Sequence, residues 1–261
     1  MVLAGLLLLA GAPAFAGKVG CFQCHKSHYT ESGTCISCHR GDERSARLAI
    51  AHRDLIQAKF SWFAIAESQP LQRGEKLLVV FACRRCHTTA GKGNHLASNL
   101  DRLPLNTTPQ KIFEAIKHPA LFMPDFSFDD RQITDLVNAI LAGAIKNGRN
   151  AGETPQVVHF EGVKPRTDNI FEKQCGSCHK ILTDAFGALG KGNIGPNLSG
   201  LFSEFYPATL KDNGRWTAGI LKKWLENPRK IREHSQMRPI PLKKAEFELL
   251  LPILATKPRN N

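Results

Sequence analysis

Apolar positions fall in distinct stretches along this chain, and their spacing predicts helices. Leu77, Leu78, Val80 and Phe81 form the apolar part of a helix leading into Cys83. Thr108-Pro109 supplies an N-cap and a first-turn proline, followed by Ile112, Phe113 and Ile116 at helical spacing, and that helix should end at His118-Pro119. Ser127 to Asp130 reads as a capping box ahead of Ile133, Leu136, Val137, Ile140 and Leu141, a stripe of period 3.6. Further on, Ile170 and Phe171 precede Cys175, and Thr217 opens a helix carrying Ile220, Leu221, Trp224 and Leu225 that stops before Pro228. A last helix covers about 242–255, with Pro252 as a kink. Residues 17–50, by contrast, offer few large aliphatics. The polar, Gly-bearing stretch from Lys146 to Pro155 reads as a linker. The pattern predicts a mainly α chain: a small loop-rich module at 17–58, helical domains at 59–148 and 167–261, and a linker at 149–166.

The cysteines change this picture. All eight sit in four copies of Cys-x-x-Cys-His: Cys21, Cys24 and His25; Cys35, Cys38 and His39; Cys83, Cys86 and His87; Cys175, Cys178 and His179. This is the attachment signature of haem c. Two thiols on one turn reach the two vinyl groups of one porphyrin, and the adjacent histidine faces the iron. Zinc sites and disulfide frameworks also use paired cysteines, but neither requires a histidine after every pair. The expected cofactors are therefore four covalently bound haem c groups, each with its iron.

Charge then needs recounting. The chain has 261 residues with 35 basic and 23 acidic, a formal +12. Four haems, each about −1 when ferric and about −2 when ferrous, bring that to roughly +8 and roughly +4. A modest positive surface suits an acidic redox partner or an anionic membrane face rather than nucleic acid. Residues 2–10 (VLAGLLLLA) followed by Ala14-Phe15-Ala16 read as a signal peptide over 1–16, with no basic residue before the apolar run. Haem attachment occurs beyond the cytoplasmic membrane, so the expected location is the periplasm; an uncleaved N-terminal anchor is the alternative.

Motif spacing divides the chain unevenly. The first two motifs begin 14 residues apart, the third 48 later and the fourth 92 later still. Fourteen residues cannot enclose a haem, so the first two share one module whose core is porphyrin. The two later segments, about 70–148 and 165–256, resemble class I cytochrome c, with a haem motif after a helix, a downstream methionine loop and a final helix. In the fourth segment Gly195-Pro196-Asn197-Leu198 looks like the family's Gly-Pro-Asn-Leu loop, and Trp224-Leu225-x-Asn227-Pro228 before Met237 looks like its helix-to-methionine stretch. In the third, Phe122-Met123-Pro124 fits the family's Met-Pro. There Asn94-His95-Leu96-Ala97-Ser98-Asn99-Leu100 replaces the loop, so packing around that haem should differ.

The resemblance implies Met123 and Met237 as the distal iron ligands of the third and fourth haems, 36 and 58 residues after their proximal histidines. His95 and His118 compete in the third segment. No methionine serves the first two haems, for which His28 and His52 are candidates. His28 follows His25 by three residues and cannot reach round its own haem, so it is assigned to the haem of Cys35 and Cys38, and His52 to that of Cys21 and Cys24. The Cys-x-x-Cys-His-x-x-His run resembles the bis-histidine pairs of multihaem cytochromes.

Methionine raises haem potential relative to histidine. The expected function is an electron carrier, not an enzyme. A low-potential bis-histidine pair feeds two His/Met haems and a redox partner protein in a respiratory chain: a membrane quinol-oxidising complex, a reductase or another cytochrome. The alternative is a haem enzyme with one displaceable ligand, similar to cytochrome c peroxidases or sulfur-oxidising cytochromes. Glu114 is then the acid nearest the third methionine loop, and no cysteine is spare to ligate sulfur-fashion. A haem-stacking filament would favour histidine ligation throughout, against two methionine loops.

Overall fold

The computed structural model describes residues 20–120, 122–147 and 169–256; the expected signal peptide at 1–16 and linker at 149–166 lie outside them. The chain divides into two compact units that part between Gln57 and Ala58.

The first unit has two single turns of 3-10 helix, Gly20–Gln23 and Thr30–Ser32, then α1 (Cys35–His39) and α2 (Leu48–Ala51). Within residues 20–57 only Ile56 is fully buried, as the shortage of large aliphatics led us to expect. Backbone bonds take the place of side-chain packing: Ile56 N–H donates to His39 O (2.7 Å) and Asp42 N–H to Ala51 O (3.0 Å). Gly41 makes the second possible, having φ 83° and a position where a Cβ would stand 2.3 Å from Ala51 O.

The second unit is built from a 3-10 segment (Ala58–Ala64), α3 (Gln69–Val80), α4 (Leu103–Asn106), α5 (Pro109–Lys117), α6 (Asp130–Asn147) and α7 (Ile170–Gln174). An antiparallel hairpin of β1 (Ile181–Thr183) and β2 (Gly187–Leu189) follows, then α8 (Ala218–Glu226) and α9 (Lys244–Leu254). Among the described residues no helix is long and apolar enough to cross a membrane.

In its first half, α6 is the organising element. Its apolar stripe buries Ile133, Leu136, Val137, Ile140 and Leu141. Against it α3 approaches so closely that a Cβ on Gly74 would stand 2.0 Å from Asp135 O. Beside the crossing, Arg73 makes a two-pronged bond to the buried Asp135 carboxylate, at 2.6 and 2.9 Å. Asn138, wholly buried, ties the 3-10 segment to α6 by accepting from Phe63 N–H (2.9 Å) and donating to Lys59 O (2.9 Å). Thr108 caps α5 as its sequence suggests, accepting from Lys111 N–H at 3.3 Å.

Two local expectations are corrected. The capping box of α6 lies two residues after Ser127: Asp129 Oδ1 accepts from Gln132 N–H (2.7 Å) and Gln132 Oε1 from Asp129 N–H (3.0 Å). Ser127 sits instead in a turn at φ 51°, its N–H bonded to Asp125 Oδ1. Val80 is exposed, and Leu78 is what α3 buries.

In the second half, α7 packs on α9, and Phe171, Leu221, Trp224, Leu225, Leu250, Ile253 and Leu254 form the main cluster. Pro252 falls in the last turn of α9. The hairpin was not expected from the pattern, since three-residue strands are too short to show alternation. Its turn is held by Thr183, whose hydroxyl accepts from Phe186 N–H (2.9 Å) and donates to Gly187 O (3.0 Å).

The two halves interlock. Cys86, Leu96 and Phe122 of the first share an apolar cluster with Leu182 and Ala188 of the second. Polar bonds frame it: Asn94 Nδ2 to Ser203 Oγ (2.8 Å), Asn197 Nδ2 to Phe122 O (3.2 Å) and Arg85 Nη1 to Asn197 O (3.1 Å).

Candidate cofactor sites

Each Cys-x-x-Cys-His motif closes one helical turn. His25 N–H bonds Cys21 O at 2.9 Å, His87 N–H bonds Cys83 O at 3.0 Å, and His179 N–H bonds Cys175 O at 2.9 Å; the second motif is α1 itself. None of the eight cysteines is joined to another in a disulfide. Among the described residues no three His, Cys, Asp or Glu side chains converge as a zinc site requires.

The fourth motif opens on a cavity of about 1160 Å³, larger than the roughly 300–1,000 Å³ of small-ligand pockets. Cys175, Cys178, His179 and Met237 all line it, with Trp216, Trp224 and Tyr206 among the apolar wall. His179 Nδ1 donates to Pro196 O at 2.8 Å. A carbonyl only accepts, so this bond fixes the proton on Nδ1 and leaves Nε2 with a free lone pair for a metal. Gly195 forms the cradle for the ring: a Cβ there would stand 2.1 Å from Cε1 and 2.7 Å from Nε2 of His179. Across the cavity Trp224 Nε1 donates to Met237 Sδ at 3.0 Å, which orients the thioether. Burial pushes the Cys175 thiol up to about 11, with the Cys178 charge adding to it. Such a pocket disfavours a thiolate and suits a neutral thioether. These residues fit a covalently held haem, whose iron would supply one-electron chemistry between His179 and Met237.

Replacing Trp224 by Phe removes the only N–H that this indole offers the sulfur. We expect a modest change in the midpoint potential of a haem held at this motif, read by redox titration of the loaded protein.

The third motif repeats this plan through backbone groups. His87 Nδ1 donates to Ser98 O (2.8 Å), as His179 does to Pro196 O. Leu100 N–H bonds Thr88 O and Leu198 N–H bonds Lys180 O, both at 2.8 Å. Asn99 Oδ1 accepts from Asp101 N–H (3.0 Å) as Asn197 Oδ1 does from Ser199 N–H (2.9 Å). Ala97-Ser98-Asn99-Leu100 thus follows the path of Gly195-Pro196-Asn197-Leu198, with a Cβ at Ala97 where the other loop has none. Burial lowers the proton affinity of the His87 imidazole, against the Ser98 carbonyl, and pushes the Cys83 thiol up to about 11. Met123 is half-buried, its N–H bonded to Ala120 O (2.8 Å), beside Phe122 in the cluster with Cys86. Of its competitors, His95 bonds the Thr88 hydroxyl (3.1 Å), and His118 is exposed near Glu114 at the end of α5.

In the first unit, histidines meet in two pairs. His25 and His52 have ring centres 6.0 Å apart, and so do His28 and His39. An iron–nitrogen bond of about 2 Å plus roughly 1 Å from nitrogen to ring centre, taken twice, requires about 6 Å. The separation of each pair matches that distance. His39 Nδ1 donates to Ile56 O (3.1 Å) and His28 Nδ1 to Lys26 O (3.3 Å), so both keep Nε2 for a metal. The Cys21 thiol is pushed up by partial burial and by the neighbouring Cys35.

Sequence reasoning missed the carbonyls of Ser98, Pro196 and Ile56, because a backbone acceptor has no residue-type signature. It also missed Arg85, which lines the fourth motif's cavity from the third motif.

No solved structure matches the chain. The family model described as cytochrome C oxidase, cbb3-type, subunit III matches residues 69–138, from the start of α3 to Asn138 of α6, a span that includes Cys83, Cys86, His87 and Met123. This segment is accordingly a c-type cytochrome domain, and the chain is an electron-transfer haem protein with covalently bound haem c.

Proposed function

We propose that the chain is a periplasmic tetrahaem cytochrome that relays electrons from a bis-histidine haem pair to two His/Met haems and on to a redox partner. The observation that carries this reading is the ring pairing in the first unit. Two 6.0 Å histidine pairs accompany two attachment motifs, and one cavity joins His179 to Met237. Cys21 and Cys24 with His25 and His52 hold the first haem; Cys35 and Cys38 with His39 and His28 hold the second. Cys83, Cys86, His87 and Met123 hold the third, and Cys175, Cys178, His179 and Met237 the fourth. Two nitrogen or sulfur ligands per iron leave no open position, which suits outer-sphere transfer. Histidine pairs lower the potential of the first two sites and methionine raises that of the last two, so the gradient runs along the chain. The matched family's name, a subunit of a terminal oxidase, supports a respiratory setting, and the basic balance supports an acidic docking partner.

Spectroelectrochemical titration of the haem-loaded protein, with carbon monoxide added to the reduced form, tests this. Two low and two high midpoints with no carbon monoxide binding are expected. A high-spin haem that binds carbon monoxide would overturn six-coordination and favour a peroxidase-like activity.

A further inference from the structure

We infer that Arg85, a residue of the third attachment turn, sets the reduction potential of the fourth haem. The inference rests on the ligand reading above. Arg85 lies between Cys83 and Cys86, so its backbone belongs to the third site, yet its side chain helps line the cavity of the fourth. There Nη1 donates to Asn197 O at 3.1 Å, and the guanidinium stands 5.9 Å from the Tyr206 ring centre. Both ends of the residue are held. Arg85 O accepts from Asn94 Nδ2 (2.9 Å), which also bonds Ser203 Oγ (2.8 Å), and the loop at Gly200 comes so near that a Cβ there would be 2.7 Å from Arg85 O.

Asn197 follows Pro196, whose carbonyl orients His179, so Arg85 bonds the very loop that positions the proximal ring. Third motif and fourth cavity are thereby joined through Arg85.

A guanidinium is charged at every accessible pH. Reduction at the fourth site adds one negative charge beside it, in a partly enclosed pocket where screening is weak. Arg85 stabilises that form and raises the potential. It thus biases a one-electron exchange in which ferrous iron at the third site becomes ferric as ferric iron at the fourth becomes ferrous. Arg84, the adjacent residue, has the same charge but bonds Thr89 O (3.3 Å) within its own half.

The test is redox titration of the loaded full chain carrying Arg85→Gln, with Arg85→Met as a second uncharged variant and Arg85→Lys as the charge-preserving one. The fourth transition is assigned as the one a Met237→His variant displaces. Loss of the charge should lower that midpoint by an amount equal to about a tenfold change in electron distribution between the third and fourth sites, about 59 mV for one electron. Arg85→Lys should restore most of it, and Arg84→Gln should leave it in place. A fourth midpoint unmoved by Arg85→Gln and Arg85→Met, or moved equally by Arg84→Gln, overturns the role of Arg85 alone. A fourth motif that takes no haem in the unaltered protein overturns the ligand reading beneath it.

Discussion

Exchanging Met237 for histidine should lower the midpoint potential of the fourth site by on the order of 100 mV, within the span of about 0.8 V that axial ligands command. The expectation follows from where the side chain stands. Met237 shares a cavity with Cys175, Cys178 and His179, and the Trp224 indole holds its sulfur by a 3.0 Å bond. A thioether is a weak donor that favours ferrous iron, whereas imidazole donates more strongly and stabilises ferric iron. Histidine keeps the site six-coordinate, so the change isolates ligand identity from loss of a ligand. Redox titration with a haem count on the same sample reads the result. A fully loaded protein in which no midpoint moves would remove Met237 from the ligand set.

Replacing Gly74 by Val should destabilise the second unit by about 3 kcal/mol or more, beyond the usual cost of overpacking. A Cβ at this point would stand 2.0 Å from Asp135 O and 3.0 Å from the Ala139 side chain, against backbone and methyl groups that have no flexible end to yield. The helices α3 and α6 would have to part, which also strains the Arg73–Asp135 pair and the turn from α3 into Cys83. A domain of this size loses roughly 2–4 °C of Tm per kcal/mol, so a fall of about 6–12 °C is expected by calorimetry. Gly219→Ala in α8 is the control. Nothing lies within 4 Å of its would-be Cβ, and the change should be neutral or slightly stabilising.

Much of the site was legible because its chemistry lies in side chains at fixed spacing. Four Cys-x-x-Cys-His runs appear in the structure as four helical turns. His28 lies against His39 and His52 against His25; that they bind iron stays our proposal. Helix starts marked by Thr108 and Thr217 were readable, since a hydroxyl one residue before an apolar stripe has one common use. What stayed hidden rests on backbone groups or on contacts between distant segments. Ser98 O and Pro196 O do the same work on different residues, so the missing Gly-Pro-Asn-Leu run in the third segment hid a loop of the same path. Asp129 rather than Ser127 caps α6 because either residue could serve, and only the turn at Ser127 decides. Arg85 looks like any charged residue between two cysteines until the second half of the unit packs on it.

An electron relay of this kind requires four haems attached to this chain. Intact mass of the exported protein, with peptide mapping of each Cys-x-x-Cys-His segment, tests it most directly. Four covalent haems are expected, one on each of the pairs Cys21/Cys24, Cys35/Cys38, Cys83/Cys86 and Cys175/Cys178. A protein that matures with any of these pairs as free thiols, or bridged by zinc or disulfide, would contradict the account.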